Sequence, residues 1–70
     1  MTMLEKMKSS VGKKVKIIDV EGNEYSGTVW FIEDADENPS NEYALILSRG
    51  KNDVDGFYES EIKSIEIIQS

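Results

Sequence analysis

The run from Glu24 to Glu33 constrains this chain more than any other segment. Read as a strand, it places Tyr25, Val29 and Phe31 on one face and Thr28, Trp30 and Ile32 on the other. A strand that is apolar on both faces either bends around a small core or is covered on both sides. Gly27 sits in the middle, where sharp curvature is easiest. The chain has only 70 residues, so a single domain is the expectation.

The remaining elements are read around that strand. Residues 2–9 are predicted as a short helix with Thr2 as N-cap and Glu5 three residues on, the capping-box pattern. Met3, Leu4 and Met7 form its narrow apolar stripe, and two turns this short must dock on something. Four further strands are predicted at 14–20, 42–48, 54–58 and 62–68. Glu21-Gly22-Asn23 reads as a hairpin turn. The first strand changes face, Val15 and Ile17 against Ile18 and Val20, which predicts a bulge or a bend near Ile17–Ile18. Residues 34–41 form a polar loop with the sole proline, and Glu59-Ser60-Glu61 a single tight turn.

Composition excludes whole classes of chemistry. With no Cys and no His, the chain has no disulfide framework, no Cys/His zinc site and no nucleophile system built on those residues. No apolar run is long enough to span a membrane or serve as a signal peptide, so a soluble cytoplasmic protein is expected. The net charge of −6 is unevenly spread. Residues 1–16 carry five Lys against Glu5, a balance of +4, whereas residues 17–70 carry three basic residues against thirteen acids, a balance of −10. The body should repel polyanions. The plainer reading of the Lys cluster is a solvated face.

One helix and five strands are too little for a two-sheet sandwich of usual size. A strongly bent meander closing into a small barrel fits better, since closure removes exposed edges. Val11-Gly12-Lys13-Lys14-Val15-Lys16-Ile17, then Gly22, then Tyr25-Ser26-Gly27-Thr28-Val29, resembles the first half of an Sm-like domain. The ending Phe57-Tyr58-Glu59-Ser60-Glu61-Ile62-Lys63-Ser64-Ile65 is similar as well. The resemblance implies a mainly β fold over residues 1–70: a short N-terminal helix, then a five-stranded, strongly bent SH3-like (Sm-like) barrel. It also implies rings, formed when the fourth strand of one subunit pairs with the fifth of the next. Here those edges would be Val54 and Tyr58 on one side and Ile65, Ile67 and Ile68 on the other. At the family's RNA-contacting Asp and Asn positions, this chain has Glu33 and Glu37.

Several residues are candidates for a site. Asp34, Asp36 and Asn38 match the start of a calcium loop, but Pro39 stands where the turn Gly belongs and Leu45 where the bidentate Glu belongs. The plainer reading is a solvated loop, and no metal or cofactor is expected. Tyr25 and Phe31 are predicted to be core residues, as aromatics in small domains usually are. Trp30, on the opposite face, must lie under the helix, in an interface or exposed, and contact with Leu4 and Met7 is the expectation. Either Phe57 or Tyr58 must point outward, so Trp30, Phe57 and Tyr58 are candidate protein-binding residues. Asp19 and Glu66 alternate with apolar neighbours and are expected to face solvent. Gly12-Lys13-Lys14 lacks the upstream glycine of a phosphate loop. So short a barrel has little room for a deep pocket, and catalysis is not expected.

Two function classes follow. The first is a non-catalytic protein-binding or self-assembly module, homo-oligomeric as a ring or dimer, whose acidity suits a basic partner. The second is a divergent Sm-like RNA binder using Lys13, Lys14 and Lys16. The acidity of residues 17–70 favours the first.

Overall fold

The computed structural model describes residues 2–69. Helix α1 (Met3–Ser9) is followed by β1 (Lys14–Asp19), β2 (Glu24–Glu33), β3 (Ala44–Gly50), β4 (Asp53–Tyr58) and β5 (Ile62–Gln69). Short 3-10 turns occupy Ala35–Glu37 and Glu59–Glu61. The protein is mainly β, with five antiparallel strands in one sheet of order β4-β3-β2-β1-β5.

That order forces a roll. Flat, five strands would hold β4 and β5 about 19 Å apart. The three residues joining them form one 3-10 turn, which advances only about 6–8 Å. The sheet therefore curls until its two ends meet at this corner. It does not close: β4 and β5 are its edges and do not pair with each other. Of the expected fold, the mainly β character, the short N-terminal helix and the five antiparallel strands are present, whereas the sheet is open and is not closed into a barrel.

Gly27 marks where the roll is tightest. A Cβ there would overlap the Ser48 carbonyl oxygen and lie 3.0 Å from its carbon and 3.2 Å from Arg49 Cα. No side chain fits where the backbone of β3 crosses so closely.

The concave face holds the core: Met7, Val15, Ile17, Val29, Leu45, Leu47, Phe57 and Ile62. Met3, Tyr25, Ile32, Tyr43 and Ile65 pack against it. Helix α1 lies against β2 and β5 and inserts Met7, fully buried, into the core. Its capping box forms as the residues require: Glu5 N donates to Thr2 Oγ1, and Thr2 N donates to Glu5 Oε1. The bond donated by the Thr2 backbone N–H, and a smaller contribution from the Thr2 hydroxyl, hold the Glu5 carboxyl below its usual pKa.

Four local expectations are corrected. The third strand starts at Ala44 and runs to Gly50, not 42–48. Glu42 is held in the preceding loop by the Asn38 side chain, which donates to its carbonyl and accepts from its N–H. At the other end, Asn52 takes a φ of 71° and turns the chain within two residues, so the strand reaches Gly50. The β1 irregularities against β5 fall at Lys14/Val15 and Ile18/Asp19, rather than at Ile17–Ile18. The skipped residue at the second of these is Lys63 of β5, so β1 itself alternates unbroken and Asp19 follows Val15 and Ile17 onto the buried face instead of facing solvent.

The fourth correction concerns the aromatics. Val29 pairs with Leu47 and Phe31 with Ile46, so Trp30 is an extra residue in β2. A one-residue insertion flips every later side chain to the other face. Phe31 is thus 49% exposed rather than core, and Trp30 is 55% exposed rather than covered by α1. Ile32, opposite Leu45, takes the inward position.

Candidate functional site

The bulge at Trp30 creates the most distinctive surface of the molecule. Beyond it, the outer face of β2 carries Phe31 and Glu33. These sit beside Ile46 and Ala44 of β3, which in turn sit beside Gly56 and Tyr58 of β4. Phe31, Ile46 and Gly56 form one cross-strand row, and Glu33, Ala44 and Tyr58 the next. Val54, also exposed, follows on the same face of β4. Two strand periods in opposite phase explain this face: Leu45, Leu47 and Phe57 point inward, so Ile46, Gly56 and Tyr58 point outward, and Ala44 lies on the same side but is buried there.

A shallow depression of about 170 Å³ lies between these rows, lined by Glu33, Ala44, Ile46, Gly56 and Tyr58. Its floor is Gly56, where a Cβ would meet only Ile46 Cδ1, at 3.5 Å. Glu33 is its single charged lining residue and makes no ion pair among the described residues.

Of the aromatics singled out in the sequence, Trp30 and Tyr58 reach this face. Phe57 is buried, tilted against Tyr25 with ring centroids 4.9 Å apart. The assembly-edge residues lie on the two true edges of the sheet. Val54, Ile67 and Ile68 are exposed there, while Ile65 packs against the core.

Of the three lysines, Lys16 lies among carboxylates. Lys16 Nζ lies 3.7 Å from a Glu24 carboxylate oxygen and 4.0 Å from one of Glu66. Lys14 is exposed and Lys13 half-buried. In the acidic loop, Asn38 spends its side chain on loop structure, accepting from Ser40 Oγ and donating to the carbonyls of Asp34 and Glu42. Asp34 and Asp36 are exposed beside it. No three carboxylates converge as a metal site among the described residues.

A second, more open cleft of about 300 Å³ is lined by Asp19, Glu21, Asn23, Tyr25, Asp55, Gly56, Phe57 and Glu61. Three of its four carboxylates are already committed. Asp19 accepts from the backbone N–H of Glu21 and of Asn23 and from Asn23 Nδ2, which organises the β1–β2 turn around Gly22 at φ 89°. Burial pushes the Asp19 carboxyl pKa up, but the bonds donated by Asn23, Glu21 and Gly22 outweigh it, and the net displacement is downward. Asp55 Oδ2 lies 2.6 Å from Arg49 Nε, close enough for an ion pair though not aligned as a hydrogen bond. Arg49 also stacks over Tyr25. Glu61 accepts from Tyr58 N. These groups support the fold.

Sequence reasoning did not place Phe31, Ile46 and Gly56 on a surface. The adjacent Trp30-Phe31 pair was the available signal, since two neighbouring aromatics cannot both be core in an unbroken strand.

No protein-family model, curated protein or solved structure matches this chain. No helix among the described residues is long and apolar enough to cross a membrane.

Proposed function

We propose that this chain is a non-catalytic protein-binding module, built on a rolled sheet of the small Sm-like barrel type that its N-terminal motif resembles. Its binding surface is the outer face of β2, β3 and β4. One observation carries the reading: the bulge holds Trp30 and Phe31 side by side in solvent, continuous with Ile46, Tyr58 and Val54. Large aromatics exposed together on a rigid sheet are the residues that dominate protein interfaces. Keeping them there costs solubility unless a partner covers them.

The test is affinity enrichment with the intact chain against its Trp30→Ser/Phe31→Ser double variant, read by quantitative mass spectrometry. The reading requires partners that bind the parent and are lost from a variant with unchanged melting temperature. Identical profiles for the two proteins would sink it.

A second reading, self-assembly, draws on the open edges. Strands β4 and β5 each leave a row of backbone groups unpaired, flanked by Val54 on one edge and Ile67 and Ile68 on the other. Edge-to-edge strand addition needs little more. Light scattering on a sizing column at two concentrations a hundredfold apart separates the readings: a ring or dimer mass at both supports assembly, and a monomer at both leaves the outer face alone. RNA binding through Lys13, Lys14 and Lys16 has less support, because Glu24 and Glu66 flank Lys16.

A further inference from the structure

We infer that the depression over Gly56 receives one large apolar side chain from a basic segment of a partner protein, with Glu33 receiving a neighbouring Lys or Arg. This rests on the protein-binding reading above and names the chemistry of the partner. Three observations converge on it.

The first is shape. The row Phe31–Ile46–Gly56 runs from the middle of the sheet to its β4 edge. It ends on a residue with no side chain, so Ile46 and Tyr58 stand above a gap at the rim. Gly56 does not have the positive φ that would demand glycine, and a Cβ there meets ordinary van der Waals contact. The backbone does not need glycine at this position. Its effect is an open notch with aliphatic and aromatic walls.

The second is charge. Glu33 is the single charged group in the lining and has no cationic neighbour within ion-pair range among the described residues. At the adjoining corner, Glu42 accepts from Ser60 N and Glu61 from Tyr58 N. These two carboxylates belong to the corner that follows Tyr58, and neither lines the notch, so Glu33 is the charge that a ligand in the notch meets. Residues 17–70 as a whole carry a balance of −10. An acidic segment would be repelled from this rim and a basic one drawn to it.

The third is the open edge beside the notch. An extended segment lying along β4 would find unpaired backbone groups for its own, and its alternate side chains would fall on the outer face at the level of Gly56. This selects an extended peptide over a helix.

The experiment is selection of a random twelve-residue peptide display library on the intact chain, followed by affinity measurement of the enriched synthetic peptides. Enriched peptides should share a Leu, Ile, Met or aromatic residue with Lys or Arg within two positions of it. Gly56→Ala shallows the notch without strain and Gly56→Val fills it. Both should weaken binding, the larger by about tenfold or more, at unchanged circular dichroism. If Gly56→Val perturbs the fold, Gly56→Ala still decides. Glu33→Lys should weaken basic peptides and weaken them less as salt rises.

Peptides that lose binding in Trp30→Ser/Phe31→Ser but not in Gly56→Ala, Gly56→Val or Glu33→Lys would overturn this inference and leave the binding face standing. Enriched peptides without basic residues would overturn it as well. Enrichment indifferent to all of these substitutions would overturn both readings. A dimer or ring that Gly56→Val converts to monomer, with no peptide enriched, would assign the notch to a second copy and overturn the basic-partner inference.

Discussion

The two halves of β2 obey different rules. From Glu24 to Val29 the strand alternates as its sequence reads, with Tyr25 and Val29 toward the core and Gly27 between them. From Phe31 to Glu33 the phase is reversed, because Trp30 is inserted opposite no partner of its own. The first half shapes the fold and the second half makes the surface. A single extra residue separates an aromatic that would stabilise the core from one that faces solvent.

The largest expected effect tests the first half at its tightest point. Gly27→Ala would put a methyl group into the Ser48 carbonyl, and neither strand can move without unrolling the sheet. A cost of more than about 4 kcal/mol is expected, enough to leave so small a domain largely unfolded. A cooperative melt within a few degrees of the parent would show that the roll is looser than described.

A smaller effect sharpens the contrast across the bulge. Val29→Ala removes two methyl groups from a fully buried site and should cost about 2–3 kcal/mol. Phe31→Ala removes a far larger side chain from an exposed one and should cost less than about 1 kcal/mol. Urea denaturation of both variants decides the matter. If Phe31→Ala is the more damaging, Phe31 is a core residue and the bulge is misplaced.

These contrasts define what could be read in the sequence. The capping box at Thr2 and Glu5, the turn at Gly22, the tight turn at 59–61 and the special role of Gly27 follow from short-range rules, which involve a few adjacent residues and their backbone angles. The outward Trp30-Phe31 pair does not follow. A bulge is a property of two strands together, and its position depends on how Leu47 and Ile46 pair across the sheet. Asp19 differs for another reason: β1 holds the phase of Val15 and Ile17 to its end, so Asp19 lies inward and Ile18 outward, and the apolar residues on both sides of Asp19 mask which phase faces the core. The notch could not be inferred at all, because it exists only where Ile46 and Gly56 lie side by side.

The smallest effect compares the connections at the two ends of β2. The loop that follows the strand is tied by the neutral side chain of Asn38. The turn that precedes it is tied by Asp19, whose carboxyl pKa is held below its ordinary value of 3.8 by the bonds from Asn23, Glu21 and Gly22. The unfolded chain therefore binds a proton at Asp19 more readily than the folded chain does. The stability contributed by the carboxylate is present above about pH 4 and is lost as pH falls through the lowered folded value. Asp19→Asn removes that step and also weakens the turn at neutral pH. The stability gap between parent and variant should thus be widest near neutrality and narrow steadily below pH 3.8. Glu5, also held low, is common to both proteins and cancels in the difference. Parallel stability curves from pH 7 to pH 2 would mean that the Asp19 carboxylate does not organise the turn, and that both ends of β2 are held by neutral contacts.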